Sequence, residues 1–174
     1  PYPSPIIRLR TNELAHVKLE TRRGPHTIHH HGIEPTTMND GVGHVSFETD
    51  ESYIYQWKPR HAGTWFYHCH VNTVLHFEMG LFGLLIVDPQ EGWGSPYEGA
   101  TKHRYDVEAM WVADDIDPRW HNELNANSGL CGDDVGLNLF RPRYFMISGV
   151  HNSQTATHPN VAVSAVKGQK ILIR

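Results

Sequence analysis

The sequence lacks a long apolar run: the longest, from Leu81 to Val87, has only the length of a β-strand. A membrane-spanning helix needs about 20 such residues, so no membrane span is expected. Basic residues are also few, since 15 Lys and Arg stand against 19 Asp and Glu, for a formal net charge of -4. This mild acidity argues against a nucleic-acid partner and against binding to an anionic membrane surface.

Cysteine is scarce, with only Cys69 and Cys131 in the chain. A disulfide between them is possible, but nothing in the sequence indicates one. Cys69 stands between two histidines, which suits a thiolate metal ligand. Cys131 lies in a Gly-rich stretch, and the sequence leaves open whether it is free or pairs with a cysteine outside this chain. No signal peptide is present, so we expect a mature or trimmed protein.

Amphipathic helices longer than about three turns are missing as well. Short strand signals recur instead, separated by Gly, Pro, Asp and Asn. Over residues 1–90 these strands are predicted at Ile6–Arg10, Ala15–Glu20, His44–Glu48, Ser52–Trp57, Thr64–His70 and Leu81–Val87. The last is continuously apolar, which is typical of a strand buried on both faces. The fold class predicted for residues 1–90 is all-β, as an antiparallel sandwich or Greek-key barrel.

Residues 91–143 are predicted to form a connecting region with an acidic loop. Strand patterns occur at Tyr105–Ala113, Tyr144–Ser148, Val161–Val166 and Lys170–Arg174. Because the last strand has nothing after it, we expect residues 144–174 to be the first strands of a second, incomplete β-domain. The alternative is an edge strand that closes the first domain.

Histidine is the one residue type in large excess, with 14 in the chain. Five lie between His26 and His44, and four more between His61 and His76. A His-rich tag or metal-sequestering tail is usually of low complexity, whereas these histidines stand among Ile, Val, Phe and Trp. The two clusters are better explained as two halves of one site.

The triplet His68-Cys69-His70 lies in a predicted strand, where neighbouring side chains point to opposite faces. His68 and His70 therefore share one face, and Cys69 lies on the other. Metals bound on the two sides would be joined by a few covalent bonds, which is a plausible route for electrons. The alternative is a buried cysteine beside two structural histidines.

The segment from His26 to His31 matches this triplet face for face. His29 and His31 share one strand face, and His26 falls on the other. If the two strands are neighbours, His29, His31, His68 and His70 form one metal-binding layer, and His26 with Cys69 forms another. His30 is expected to support the ligands or the fold rather than to bind a metal itself.

A mononuclear copper for electron transfer prefers two His and one Cys, with a weak axial group. His26, Cys69 and His76 provide that set, although His76 could be an ordinary loop histidine. The axial position falls to Met79 or Leu81. Residues 71–76 are expected to form a short loop.

These motifs resemble those of the multicopper oxidases. His26-x-x-His29-x-His31-Gly32 is similar to the family's His-Pro-x-His-x-His motif, with Thr27 in place of Pro, and His68-Cys69-His70 with the later His76 and Gly80-Leu81 is similar to its second motif. The stretch from His26 to Pro89 further resembles large exported bacterial oxidases linked to manganese or iron oxidation. Together the two motifs are specific, and neither would be so alone.

The resemblance implies a cupredoxin-like domain with copper as cofactor. It implies type 1 copper at His26, Cys69 and His76, type 2 copper at His29, and type 3 coppers at His31, His68 and His70. Asp40 resembles an acid that supports the cluster in this family, against the alternative of a plain turn residue. An extracytoplasmic location is also implied.

The chain departs from the family pattern at several points. The spacing from Cys69 to His76 is two residues longer than in common laccases, and Asn72 stands near a position that is often acidic. Counting from His76 places Leu81, which cannot coordinate a metal, at the axial position. The family's cluster needs two sets of His-x-His pairs, and this chain has one. A second cupredoxin domain, in the same chain or a neighbouring subunit, is therefore expected to provide the rest.

The function implied is oxidation of a reductant at type 1 copper coupled to reduction of O2 to water. The reductant could be Mn(II), Fe(II) or a phenol. The alternatives are a blue-copper electron carrier, an enzyme like copper nitrite reductase, and a structural module with vestigial metals. An acidic patch is a candidate site for a metal-ion substrate, against the alternative of a solvated loop. It consists of Glu108, Asp114, Asp115, Asp117 and Glu123.

Overall fold

The computed structural model describes residues 2–22, 24–121 and 139–174. The strands are β1 (Ser4–Arg10), β2 (Ala15–Glu20), β3 (His29–His31), β4 (Ser52–Trp57), β5 (Gly63–His68), β6 (Phe82–Asp88), β7 (Val107–Ala109), β8 (Ala113–Ile116), β9 (Tyr144–Ile147), β10 (Val150–His151) and β11 (Ile171–Ile173). The described part has one α-helix, α1 (Thr73–Glu78), and short 3-10 turns at Thr37–Asn39, Thr101–His103, Pro118–His121 and Asn152–Gln154. The predicted all-β class is confirmed. In the described ranges, no helix has the length and apolar character that crossing a bilayer requires.

The first half of the chain forms two sheets. One has the strand order β1-β6-β5-β3, with β1 parallel to β6 and the other pairs antiparallel. The other is the antiparallel pair β2-β4. Every residue of β6 is buried, as its continuous apolar sequence predicts, because this strand is central in its sheet.

The core lies between these two sheets. Leu85 and Val87 of β6 meet Tyr55 and Trp57 of β4, and Ile33, just after β3, completes the buried cluster. Alternating residues of β2 add to it, since only one face of that strand points inward. The arrangement is the predicted β-sandwich, and it fixes β3 and β5 along one edge of the larger sheet.

The second half of the chain packs against the first through charged side chains. Arg8 of β1 contacts Asp88 and Glu108 at 2.6 Å each, and Arg174 contacts Glu108 at 2.6 Å. Strand β11 pairs in parallel with β7, and β8, β9 and β10 form a separate antiparallel sheet. The boundaries at residues 90 and 143 stay predictions.

Two predicted strands are absent from the structure. Residues 44–48 are not a strand: the chain turns at 43–46, where the amides of Val45 and Ser46 both donate to the carbonyl of Val42. Val161–Val166 is also not a strand, because its first amides donate back to His158 rather than to a partner strand. A β-rich composition does not form a strand when no neighbouring backbone is available to pair with it.

Two other segments differ from the sequence-based expectation. The predicted strand Tyr105–Ala113 is interrupted, and the chain enters β7 and β8 separately. The predicted loop after Cys69 is instead α1, which follows Asn72 in the left-handed region at φ 43°. The longer spacing between Cys69 and His76 therefore accommodates the start of a helix.

His30 is part of the core, as expected for a structural residue. Its side chain is fully buried, and its ring lies 4.7 Å from that of Trp57. Neither ring nitrogen has a hydrogen-bond partner among the described residues. Burial lowers the pKa of His30 to about 3, with a smaller contribution from neighbouring His29. The folded sandwich therefore contains a neutral imidazole.

We predict that His30 makes the fold sensitive to acid. Below about pH 6.5 the unfolded chain binds a proton at this histidine that the folded chain does not bind until about pH 3. As the pH is lowered through this window, the free energy of unfolding should therefore decrease by up to about 1.4 kcal/mol per pH unit. In the metal-free protein, wild type should lose about 2 kcal/mol more than His30→Leu between pH 7 and pH 5, measured by denaturant unfolding.

The matched control is His16→Leu, since His16 is an exposed strand histidine. This variant should keep the wild-type dependence on pH. Equal losses in wild type and His30→Leu would show that His30 does not titrate as its burial implies.

Candidate metal centre

The antiparallel pairing of β3 with β5 brings the two histidine motifs together. His29 lies opposite His68, and His31 lies opposite Phe66. Side chains two apart in a strand point to the same face, so His29, His31 and His68 lie on one side of the sheet edge. The two strands are neighbours, as the face-matching argument required.

Two imidazoles converge on the Cys69 sulfur, and we call His26, Cys69 and His76 the cysteine group. The Cys69 sulfur lies 3.5 Å from Nδ1 of His26 and 3.2 Å from Nδ1 of His76. Each residue comes from a different element: His26 is bridged to Thr49, Cys69 follows β5, and His76 is in α1. Cys69 is a buried free thiol, so its sulfur is available to a metal.

Four imidazoles form a second cluster, and we call His29, His31, His68 and His70 the histidine group. Ring nitrogens of the first three lie within 4.8 Å of one another. The ring of His70 lies 5.6 Å from those of His29 and His68. Because His68 and His70 flank Cys69 in the chain, one short stretch of backbone joins the two groups.

Burial favours neutral imidazole, the form that binds metals, in four of these histidines. Burial lowers the pKa of His26. The pKa of His76 is lowered by burial and, to a smaller extent, by the nearby His26. Burial likewise lowers the pKa of His68 to about 4, although the hydrogen bond to the Cys69 carbonyl opposes this. The pKa of His31 is lowered by burial and by the nearby His29 and His70.

Two backbone carbonyls orient the histidine group. Nδ1 of His29 lies 2.7 Å from the Asp40 carbonyl, and Nδ1 of His68 lies 2.9 Å from the Cys69 carbonyl. A carbonyl only accepts, so each Nδ1 carries the proton and each Nε2 keeps its lone pair, which in His68 faces Nδ1 of His31 at 3.3 Å. A metal ligand fixed in this way needs little reorganisation on binding.

Asp40 contacts His29 mainly through its backbone. The carboxylate is 3.7 Å from Nδ1 of His29, too far for a hydrogen bond, while the carbonyl is within bonding distance. The predicted supporting role of the carboxylate stays a prediction.

Of the two candidates for the axial position, Leu81 lines a cleft of about 500 Å³ that His26 and Cys69 also border. The amide of Leu81 donates to the carbonyl of His76, and its carbonyl accepts from the amide of Cys69, at 2.9 and 3.0 Å. Leu81 therefore joins the ends of the loop that carries the cysteine group. Met79 is the C-terminal cap of α1.

The predicted acidic patch does not form one metal-binding group. Glu108 is paired with Arg8 and Arg174, and Asp117 with Arg119. The ion pair with Arg119 holds the pKa of Asp117 well below its usual range. Asp114 and Asp115 lie in β8. Over the described ranges, only the cysteine and histidine groups bring three or more potential ligands together. Glu123, like Cys131, lies outside the described residues.

Sequence reasoning missed two contacts that hold the site. The hydroxyl of Thr27, the residue that departs from the family motif, accepts a 2.9 Å hydrogen bond from the amide of His70. The Glu78 carboxylate accepts hydrogen bonds from the amide of Asp117 and from His121. The substitution of Pro by Thr was a visible signal for the first contact. No local pattern indicated the second, which joins residues 43 positions apart.

Comparison with known proteins identifies the family. The sequence profile of the multicopper oxidases matches residues 1–92, which is more than half of the chain. The chain belongs to the multicopper oxidase family. It is 34% identical to Copper resistance protein A of Escherichia coli over 93 residues, which are 51% of this chain and 15% of that protein. It is 32% identical to L-ascorbate oxidase of Cucumis sativus over 163 residues, 85% of this chain and 24% of that protein.

Solved structures confirm the cupredoxin-like fold. Blue Copper Oxidase from Nitrosomonas europaea superposes with a TM-score of 0.66 at 28% identity, over 84% of this chain and 44% of that one. Copper nitrite reductase from the same organism superposes with a TM-score of 0.69 over 99% of this chain and 55% of that one, at 18% identity, which shows the fold alone. The chain thus spans well under two thirds of the length of these relatives.

Multicopper oxidases bind copper, and the donor sets here fit that metal. One thiolate with two imidazoles suits a mononuclear electron-transfer copper, and clustered neutral imidazoles suit further copper ions. The cysteine and histidine groups are thus the residues that would hold copper in this multicopper oxidase domain.

Gly41 provides a test of how the loop at Asp40 supports the histidine group. It lies at φ +72°, and a Cβ there would overlap the carbonyl of Ile28, next to His29. We predict that Gly41→Ala displaces His29 and weakens copper binding by the histidine group by about tenfold or more, measured by metal titration. The cysteine group should keep its affinity.

The control is Gly99→Ala, since Gly99 has a similar φ of +69° but open space around its Cβ position. It should show only the cost of the left-handed conformation, about 1–2 kcal/mol of stability, with copper binding unchanged. Unaltered binding in both variants would contradict the supporting role of this loop.

Proposed function

We propose that this chain carries the electron-accepting copper of a multicopper oxidase and half of its oxygen-reducing cluster. His26, Cys69 and His76 would bind type 1 copper, His29 type 2 copper, and His31, His68 and His70 type 3 coppers. The observation that carries the proposal is the arrangement of both groups around one triplet. The Cys69 sulfur is 3.2 Å from His76, while its neighbour His68 is 3.3 Å from Nδ1 of His31.

When bound, copper in these sites would supply one-electron chemistry, taking electrons from a reductant and delivering them to O2, which is reduced to water. The chain itself would provide the path for electrons between the two groups. From the Cys69 sulfur the route runs along the backbone to His68 and His70, and the hydrogen bond from His68 to the Cys69 carbonyl adds a second, shorter connection. His68 ends β5, and the amide of Cys69 donates to the carbonyl of Leu81 at 3.0 Å; these contacts limit reorganisation during transfer.

The reductant would be a one-electron donor, either a metal ion such as Mn(II) or Fe(II) or a phenol. A reductant could approach Cys69 through the adjacent cleft, whose lining includes the apolar side chains of Pro5, Leu19 and Leu81. Glu20 and Arg22 also line this cleft, so it offers both apolar and charged groups to a reductant. Both donor classes belong in the assay.

The remaining ligands would come from a second cupredoxin domain, in the same chain or in a neighbouring subunit. The exposure of His31 at the rim of the histidine group supports this proposal, because a partner domain can reach the group there. Residues 144–174 would begin such a domain, and the exposure of Ile171 and Ile173, at 45% and 52%, supports further strands covering them. We propose an extracytoplasmic location on the family resemblance.

The substitution Cys69→Ser tests the electron-accepting site. In the full-length, copper-loaded protein it should abolish the intense blue absorption, because the serine hydroxyl cannot replace a thiolate as ligand, and it should abolish oxidation of the reductant. Absorption spectroscopy and oxygen consumption with a phenol, Mn(II) and Fe(II) provide the measurements. Cys131→Ser, the same change at the other cysteine, should retain both properties. Blue absorption that survives in Cys69→Ser would exclude the assignment.

The substitution His31→Gln separates an oxidase from a simple electron carrier. His31 belongs to the histidine group alone, so the variant should keep the blue absorption and lose oxygen consumption by about tenfold or more. His16→Gln is the control, as an exposed strand histidine away from both groups. If oxygen consumption is unchanged in His31→Gln, the histidine group does not reduce O2.

A further inference from the structure

Helix α1 carries His76 and has little to hold it in place by itself. It has six residues, and Asn72, the N-cap residue before it, makes no capping hydrogen bond through its side chain. A helix of this length is unstable in water without tertiary contacts. The position of His76 therefore depends on what α1 touches.

The strongest polar contact of α1 is made by Glu78. Its side chain is buried, and Oε1 accepts a 2.8 Å hydrogen bond from the amide of Asp117 and a 3.0 Å bond from Nε2 of His121. Both donors belong to the segment 117–121, beyond the predicted end of the first domain. A buried carboxylate with two donors is held firmly, since losing either donor leaves it undersatisfied.

The segment 117–121 is itself fixed. The Asp117 carboxylate is fully buried and accepts hydrogen bonds from the amide of Arg119 at 3.0 Å and the amide of Arg141 at 2.8 Å. The Arg119 guanidinium pairs with the same carboxylate, and Trp120 is buried beside it. His121 thus approaches Glu78 from a segment that is anchored at Asp117.

Because α1 is a helix, holding Glu78 in place also fixes the direction in which His76 points. Residues two apart in an α-helix point in nearly opposite directions, about 200° apart. Glu78 therefore holds α1 from the side opposite His76, whose Nδ1 lies 3.2 Å from the Cys69 sulfur. Phe77, between them, packs on His68 with ring centroids 4.7 Å apart.

We propose that Glu78 and His121 are positioning residues: their hydrogen bond holds α1 so that His76 reaches the copper that the cysteine group would bind. This inference rests on the proposed function, since it concerns the same copper. It adds that residues 117–121 belong to the frame of the electron-accepting site. Neither Glu78 nor His121 would touch the metal.

The test compares His121 variants of the full-length, copper-loaded protein. His121→Leu removes the donor at a side chain that is 34% exposed, so folding is expected to survive. It should shift the blue absorption band and the copper hyperfine splitting in electron spin resonance, and speed copper release to a chelator by about tenfold or more. His121→Gln keeps an N–H donor and should restore wild-type values. His103→Leu, at an exposed histidine of the turn Thr101–His103, is the control and should match wild type.

A second variant distinguishes a positioning role from a general loss of stability. Glu78→Gln keeps an oxygen acceptor but loses the charge, so it should change the spectrum in the same direction as His121→Leu, to a smaller extent. The proposal is overturned if His121→Leu lowers the unfolding temperature but leaves the band, the splitting and the release rate unchanged. A wild-type protein without blue absorption would instead overturn the proposed function, so the two failures can be told apart.

Discussion

The antiparallel register between β3 and β5, with His29 opposite His68, is the constraint on which the rest of the site depends. A slip by one residue would turn every side chain of β3 to the other face. His30 would then leave the core, and His29 and His31 would leave the histidine group. The burial of His30 against Trp57 and the packing of His31 on Phe66, with ring centroids 4.5 Å apart, both hold this register. The core and the metal centre are thus specified by the same pairing.

Many of the strands could be predicted from the sequence because they depend on local patterns of alternation. Ala15–Glu20 and Ser52–Trp57 are strands with the bounds that their alternation predicts. Within each histidine motif, the residues could be divided between two opposite faces because the period of a strand is two. The family resemblance then added metal types that spacing alone could not provide.

The rest could not be predicted, because it depends on contacts between residues far apart in the chain. No sequence pattern near Glu78 indicates that its carboxylate accepts hydrogen bonds from Asp117 and His121, which connect residues 117–121 to α1, where a loop was expected. Glu108 looked like part of an acidic patch, but arginines from β1 and from the end of the chain neutralise it. An acidic residue becomes a metal ligand or an ion-pair partner according to its tertiary neighbours, which no local pattern records.

We propose that one triplet, His68-Cys69-His70, joins two copper sites. Anomalous X-ray scattering at the copper edge from crystals of the full-length, copper-loaded protein tests it most directly. We expect one copper bound by His26, Cys69 and His76, and further copper ions bound by His29, His31, His68 and His70 together with histidines of a second cupredoxin domain. Copper bound at the cysteine group with none at the histidine group would rule out two joined copper sites.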